Sequence, residues 1–323
     1  MRTYTDKYNT SFDNIDAARR NLDLYGVAVV TGVIPDEECD ATAAQFWSEL
    51  KTMSKDRFDV NDKDTWVNYF ETFQPMHGML LQHHSIGHLQ STWSIRQHPR
   101  VAEVFRQLYG LNDAKSLLAS FDGVSAHIRH HRRGVKGKPW YHVDQNKPSE
   151  KRLYAQGVAT LYDVEEGDAT LTVYEGSHLH HTEYLSTVPK ADWVKVLNLD
   201  FYTEKGCKQV YIKCPKGSLL LFDSRTVHSG ALPDEATRTH NLDRKRLVFY
   251  VCQTPRSGAT ARDLKAKRTA LSKLRVTRHT PYPVKCFAQK PRNYGNPEPD
   301  VLPWTTQPNL SELGRALAGF PLN

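Results

Sequence analysis

The chain of 323 residues carries a formal net charge of +7 and five scattered cysteines. This length can bury one large core, and an odd number of scattered cysteines without a Cys-x-x-Cys pair indicates neither a disulfide framework nor a zinc ribbon. No run approaches the roughly 20 apolar residues of a membrane span, and the N-terminus lacks a hydrophobic signal region. We therefore expect a soluble, intracellular protein, with the cytoplasm as its favoured location and an anionic molecule as a natural partner.

Residues 1–115 predict helices around one short strand. Apolar stripes at helical spacing begin after Asp13, after Pro35 and at Pro99. Residues 27–30, Val-Ala-Val-Val, form a buried strand between the first two helices. This part of the chain is expected to pack against the core that follows it.

Residues 116–256 change to short strands separated by turn residues. The predicted strands are 116–121, 123–128, 141–143, 156–161, 169–174, 209–213, 218–222 and 247–251. Such a series favours two facing sheets or a jelly-roll barrel. The long connection between 176 and 209 predicts a helix near 191–194 that would cover the mouth of the barrel.

Residues 257–323 predict a basic helix and then a Pro-rich extended tail. Leu264, Leu271 and Leu274 recur at helical spacing among lysines and arginines. The prolines that follow are typical of a segment that wraps the surface in extended form. The chain is thus predicted to be a single domain, 1–323, mainly β with flanking helices (α+β).

His142 and Asp144 are the first candidate metal ligands. Side chains two apart on a strand project to the same face, so both can contact one ion. His228, which follows the apolar run 219–222, supplies a third ligand from a distant strand. Two imidazoles and one carboxylate of this kind form the facial triad of non-haem Fe(II) oxygenases, which leaves open positions on the metal.

A rival cluster is formed by His180, His181 and Glu183. Neighbouring histidines on one loop rarely make a closed metal site without further supporting contacts, so the first set is preferred. The acidic residues of 165–168 are expected in a solvated turn.

The basic loop 129–138 lies directly before the first candidate ligands. Both a solvated loop and an anion-binding rim fit its charge. Beyond Trp140 and Tyr141 it lacks the interleaved aromatic residues that stack nucleic-acid bases. A small-molecule substrate is therefore favoured over nucleic acid.

Taken in order, several segments resemble the phytanoyl-CoA dioxygenase-like branch of the Fe(II)/2-oxoglutarate-dependent oxygenases. They are 25–30 leading to 35–38, the His142-Val143-Asp144 pair, 167–178, and the His228 strand followed by Arg246. The resemblance covers about residues 20 to 255. It implies a double-stranded β-helix (jelly-roll/cupin-like) core, Fe(II) held by His142, Asp144 and His228, 2-oxoglutarate as co-substrate and ascorbate as a reductant.

The second carboxylate of 2-oxoglutarate requires a cation inside the barrel, and a guanidinium suits it because its planar fork binds both oxygens. The resemblance implies Arg246, at the start of the last core strand. Arg246 lies further beyond His228 than the family's arginine does. Arg238 fits that spacing but stands in a polar loop, so Arg246 is preferred and Arg238 remains the alternative. Arg244 and Lys245 are expected outside the barrel.

The resemblance implies oxidation of a substrate C–H bond. An intact carboxylate at Asp144 favours hydroxylation over halogenation. The expected substrate is a small organic acid, amino acid, lipid or acyl-CoA-type molecule. The alternatives are an oxygenase acting on a nucleic-acid base or protein side chain, and a non-catalytic metal-binding cupin-like sensor.

Overall fold

A computed structural model describes residues 2–129, 139–189, 191, 193–238, 243–292 and 298–322. The helices in these residues are α1 (Ile15–Tyr25), α2 (Asp36–Met53), α3 (Trp66–Phe73), α4 (Gln90–Arg96), α5 (Pro99–Leu108), α6 (His181–Ser186), α7 (Asp200–Thr203), α8 (Ala261–Ser272) and α9 (Glu312–Leu317). The strands are β1 (Tyr4–Thr5), β2 (Asn9–Ser11), β3 (Val27–Thr31), β4 (Leu80–Leu81), β5 (Leu117–Ala119), β6 (Val124–His127), β7 (His142–Val143), β8 (Ala155–Thr160), β9 (Thr170–Glu175), β10 (Val194–Lys195), β11 (Lys208–Ile212), β12 (Leu219–Asp223), β13 (His228–Ala231), β14 (Arg246–Val251) and β15 (Gln253–Pro255). None of these helices has the length and apolar character that a membrane crossing requires.

Two sheets make the core of the fold. One has the strand order β1-β11-β9-β13-β7-β10, and the other has the order β2-β3-β12-β8-β14-β6-β4. Strands far apart in sequence are neighbours in both sheets, as in a jelly roll. The prediction of a mainly β fold with flanking helices and a double-stranded β-helix core is confirmed.

The burial of strand β12 explains why residues 219–222 are all apolar and do not alternate with polar residues. Leu219 and Leu221 belong to a buried cluster with Phe46 of α2. Leu220 and Phe222 point the other way and join a cluster that includes residues of the facing sheet, which contains β9 and β11. Both faces of the strand are therefore buried, which removes any need for polar residues on it.

Helix α1 ends where the chain turns into strand β3. Gly26 adopts the left-handed conformation with a φ of 76° and donates its backbone N–H to Leu22. A Cβ there would lie 2.4 Å from the Thr226 hydroxyl oxygen. Glycine therefore satisfies both the turn geometry and the close approach of the segment before His228.

The prediction of a helix at 191–194 is wrong. Val194 and Lys195 form strand β10, which pairs antiparallel with Val143 and His142 of β7. Burial of Val194 against Tyr141 and Val143 outweighs any local helical tendency. The connection consequently contributes an edge strand beside the candidate ligands.

Glu165 and Glu166 are exposed in the turn at 165–168, as predicted, but Asp168 is buried. Its carboxylate lies 2.7 Å from the Arg238 guanidinium and 3.2 Å from that of Arg244. A buried carboxylate needs such partners, since an unpaired charge inside a protein is strongly unfavourable.

Helix α8 coincides with the predicted basic helix, and Lys267 fastens it to the core. The Lys267 side chain is 1% exposed and donates to the backbone carbonyl of Ala119 in β5. Its ammonium lies 4.1 Å from the centre of the Phe121 ring. Burial lowers the pKa of this ammonium to about 7.

Stability should depend on pH through Lys267. Its folded pKa lies below the unfolded value, so the unfolded chain binds more protons between the two and the free energy of unfolding rises with pH by roughly 1 kcal/mol per unit from about pH 7 to pH 9. We expect Lys267→Met to lose this increase in urea denaturation experiments. The exposed neighbour Lys265 provides the control: Lys265→Met should keep the wild-type slope, and equal slopes in all three proteins would contradict the assignment.

Candidate metal centre

His142 and His228 come from neighbouring strands of one sheet. They are direct partners in the antiparallel pairing of β7 with β13, so their side chains share a face. Their ring centres are 4.2 Å apart. Asp144 follows β7 two residues after His142 and returns to the same face. Pairing and alternation together bring the three predicted ligands to one place.

The three side chains are arranged around a common point. Asp144 Oδ1 lies 3.4 Å from His142 Nε2, and Asp144 Oδ2 lies 3.4 Å from His228 Nε2. One ligand atom from each residue lies within 4.8 Å of the others. Among the described residues, no second group of three or more His, Cys, Asp or Glu side chains meets this geometry.

Backbone carbonyls orient both imidazoles. Nδ1 of His142 lies 3.1 Å from the carbonyl of Trp140, and Nδ1 of His228 lies 2.9 Å from that of Thr226. Each Nδ1–H donates to its carbonyl, which leaves the Nε2 lone pair facing the shared point. Two neutral imidazole nitrogens and a carboxylate oxygen are a donor set that fits Fe(II).

The electrostatics of the cluster favour ligands in their metal-binding forms. Burial alone would raise the pKa of Asp144, but attraction to His279, His228 and His142 outweighs it and lowers this pKa well below its usual range. Burial lowers the pKa of His228 to about 3. Near neutral pH the cluster therefore holds a carboxylate and a neutral His228.

Surrounding side chains hold the candidate ligands in place. Trp140 stacks on His142 with ring centres 4.7 Å apart, and His77 stacks on the opposite side of Trp140 at 4.3 Å. The Gln156 amide donates to Asp144 Oδ2. These contacts fix the plane of one imidazole and the rotation of the carboxylate.

A cavity of about 350 Å³ opens in front of the three residues, and Arg246 lies on its wall. The Arg246 guanidinium is buried, lies 3.2 Å from the carbonyl oxygen of Ala169, and has Tyr250 beside it. The other side chains on the wall are mostly apolar and include Leu80, Val158, Leu171, Phe222 and Phe287. The cavity thus combines a candidate metal-binding cluster, a buried cation and mostly apolar walls.

Arg238 occupies a different environment. Besides its ion pair with Asp168, it donates to the carbonyl of Arg244 at 3.0 Å. The described residues that line the cavity include Arg246 but not Arg238. Arg244 pairs with Glu165 at 3.0 Å. Its place away from the cavity agrees with the expectation that it lies outside the barrel.

The residues of the rival cluster have separate partners. His181 Nε2 lies 3.2 Å from the carbonyl oxygen of Lys147, and Glu183 pairs with Lys205 at 2.7 Å. They do not converge with His180 on one point. Of the predicted basic rim, residues 130–138 lie outside the described part of the chain, while Arg129 lies 3.6 Å from Asp243.

Several cavity residues were not predicted from the sequence. His279 Nε2 lies 3.4 Å from Asp144 Oδ1, and Arg278 and Phe287 line the cavity beside it. Asp122 also lies on the wall, although its carboxylate is buried. No periodicity or motif marks these positions. Arg278, His279 and Phe287 reach the cavity through the path of the chain after α8, and Asp122 through the turn between β5 and β6.

Comparison with known proteins identifies the family. The phytanoyl-CoA dioxygenase (PhyH) family model matches residues 22–232. Ava biosynthesis cluster protein O of Aspergillus versicolor is 24% identical over 238 residues, which are 70% of this chain and 73% of that protein.

Two solved structures share the fold at low sequence identity. A hypothetical protein of Escherichia coli is 13% identical with a TM-score of 0.59, and the match covers 97% of this chain and 85% of that one. The product of GlcNAc Inducible Gene 2 of Candida albicans is also 13% identical, with a TM-score of 0.56, over 82% of this chain and 70% of its own. The family match spans most of the chain and includes all three converging residues. The chain belongs to the phytanoyl-CoA dioxygenase family of non-haem iron, 2-oxoglutarate-dependent oxygenases.

Proposed function

We propose that this protein hydroxylates a C–H bond of a small molecule. In this proposal His142, Asp144 and His228 hold Fe(II), and Arg246 binds the distal carboxylate of 2-oxoglutarate. The observation that carries it is the convergence of these four side chains on one cavity. When bound, iron and 2-oxoglutarate would supply the oxidising chemistry together with O2, with one oxygen atom ending in the substrate hydroxyl and the other in succinate, which forms with release of carbon dioxide.

The candidate ligands would occupy one face of the metal and leave the cavity side open. The Nδ1–H bonds to backbone carbonyls keep both Nε2 atoms aimed at the same point without rearrangement. Gln156 restrains one oxygen of Asp144. This organisation supports metal binding because little order has to be created when the ion arrives.

Arg246 supports binding of a dicarboxylate at the same time as the metal. Its guanidinium is buried and donates to the carbonyl of Ala169 and, through Nε, to the hydroxyl of Ser125, but none of the described carboxylates forms an ion pair with it. A carboxylate bound there would be shielded from water by Leu171 and Val158. The ion pair of Arg238 with Asp168 makes the alternative arginine unsuitable, because its guanidinium already neutralises a buried carboxylate.

A small substrate is favoured over a macromolecule by the volume of the cavity. About 350 Å³ lies at the lower end of the range for small-molecule sites, and 2-oxoglutarate would take a share of it. An oxygenase acting on a nucleic-acid base or a protein side chain remains the alternative, together with a metal-binding sensor without turnover. Hydroxylation is preferred to halogenation because Asp144 retains its carboxylate.

The first prediction concerns metal binding. Wild-type protein should bind about one Mn(II), a redox-stable stand-in for Fe(II), and alanine at His142, Asp144 or His228 should weaken binding by about tenfold or more, since each removes one of three ligands. Calorimetric titration measures this. His181→Ala is the control from the rival cluster and should bind as wild type; metal loss there, with His228→Ala unaffected, would reverse the choice of site.

The second prediction concerns the co-substrate. Arg246→Ala leaves a buried carboxylate unpaired, so 2-oxoglutarate affinity in the Mn(II)-loaded protein should fall by roughly 3–5 kcal/mol, a few hundredfold or more, while Mn(II) still binds. Arg238→Ala should reduce stability through loss of the Asp168 pair and leave 2-oxoglutarate affinity near wild type. The opposite pattern would make Arg238 the anchor.

The third prediction concerns turnover itself. With Fe(II), ascorbate as reductant and oxygen, the wild-type protein should release succinate from 2-oxoglutarate even without substrate. His142→Ala and Asp144→Ala should abolish this release. Metal and 2-oxoglutarate binding without any succinate from the wild type would favour the sensor.

A further inference from the structure

Residues 276–288, which we name the strap, fold back over the cavity. Phe287 donates its backbone N–H to Val276 at 2.9 Å, and Arg278 donates to Lys285 at 2.8 Å. Thr277 and Cys286 form an antiparallel bridge between these two contacts. The strap is therefore a hairpin-like segment with its own backbone hydrogen bonds.

Several contacts fasten the strap to the barrel. Thr277 donates its N–H to the carbonyl of Phe121 at 2.9 Å, and Phe121 donates back to the Thr277 hydroxyl at 2.8 Å. Midway along the strap, the Tyr282 hydroxyl donates to the carbonyl of Pro255 at 2.6 Å. The strap lies outside residues 22–232 that match the family model.

The strap supplies three side chains to the cavity: Arg278, His279 and Phe287. Phe287 extends the apolar wall. His279 Nε2 lies 3.4 Å from Asp144 Oδ1. Arg278 differs from both. Within the described part of the chain, no carboxylate lies within ion-pair distance of its guanidinium. The hydrogen bonds of Arg278 are made by its backbone, with Lys285 and with the Thr277 hydroxyl.

Charge balance in the cavity points to the chemistry that Arg278 accepts. In the proposed function, Arg246 is matched by 2-oxoglutarate and Asp144 by the metal. The Asp122 carboxylate accepts hydrogen bonds from the backbone N–H of Gly123 at 2.7 Å and from the Gln82 amide at 3.4 Å, and the buried Arg96 guanidinium, which donates to the Asp122 carbonyl at 2.9 Å, supplies a positive charge beside it. Arg278 is then a cation at the cavity wall without a described partner, and a guanidinium binds a carboxylate through its planar fork.

We propose that the strap is the substrate-recognition element of this protein. It selects a small molecule with an apolar or aromatic body and a carboxylate, and Arg278 binds that carboxylate while the body packs against Phe287 and Trp193. Both aromatic side chains line the same cavity as the candidate metal ligands. The inference rests on the proposed function, because it assumes that Arg246 and the metal are engaged by 2-oxoglutarate.

The test uses three probes of one shape and different charge: 3-phenylpropanoate, 3-phenylpropanamide and 3-phenylpropylamine. Each is titrated calorimetrically into full-length protein saturated with Mn(II) and 2-oxoglutarate, so that no probe enters the co-substrate position. The carboxylate should bind at least about tenfold tighter than the amide, and Arg278→Gln should remove that advantage. Arg278→Lys should restore part of it, because the charge returns without the planar fork.

Arg292→Gln is the matched control, since it removes one positive charge from an exposed position outside the residues that line the cavity. Its probe affinities should equal those of the wild type. Preferential binding of the amine, unchanged carboxylate binding in Arg278→Gln, or no probe binding up to about 10 mM would overturn the inference. Wild-type protein that binds Mn(II) and 2-oxoglutarate but no carboxylate refutes only the role of the strap, whereas failure to bind the metal refutes the proposed function.

Discussion

The buried carboxylate of Asp144 is the constraint on which the rest of the site depends. A charge removed from water must be compensated by nearby groups. The Gln156 amide donates to this carboxylate, His279 Nε2 lies 3.4 Å from it, and in the proposed function the metal held together with His142 and His228 supplies the opposing charge. Those partners come from β7, β13, β8 and the strap. Compensating one charge therefore requires both sheets and the strap to be in place, so the local electrostatics of the site and the global fold are coupled.

The sequence predicted the site best where the alternation of side chains along a strand decides which face each side chain points to. Alternation along a strand placed His142 and Asp144 on one face, and the apolar run before His228 indicated that a strand precedes it. Direct pairing of His228 with His142 then depends on register, which the hydrophobic pattern of both sheets sets. The preference for Arg246 over Arg238 rested instead on the family resemblance and on the place of Arg238 in a polar loop; the role of Arg246 stays a prediction.

Prediction failed where position depends on distant partners. His279 follows a basic helix and precedes a Pro-rich segment, and nothing near it in sequence indicates a cavity. Its place is determined by the hydrogen bonds of Thr277 with Phe121, which are separated by much of the chain. Val194 illustrates the same limit, since pairing with β7 decided its conformation. Asp168 was assigned to solvent because its two arginine partners follow far later in the chain.

The strap and the barrel differ in how much sequence change each tolerates. The candidate ligands lie on or beside strands whose pairing cannot change without loss of the barrel, whereas the strap is held by a few backbone hydrogen bonds and by the hydroxyls of Thr277 and Tyr282. Segments attached in this way tolerate new side chains and new lengths better than paired strands do. Exchanging the strap between related chains, with His279 retained and with Val276 and Ala288 as the joining points, is thus a route to new substrate ranges on an unaltered barrel.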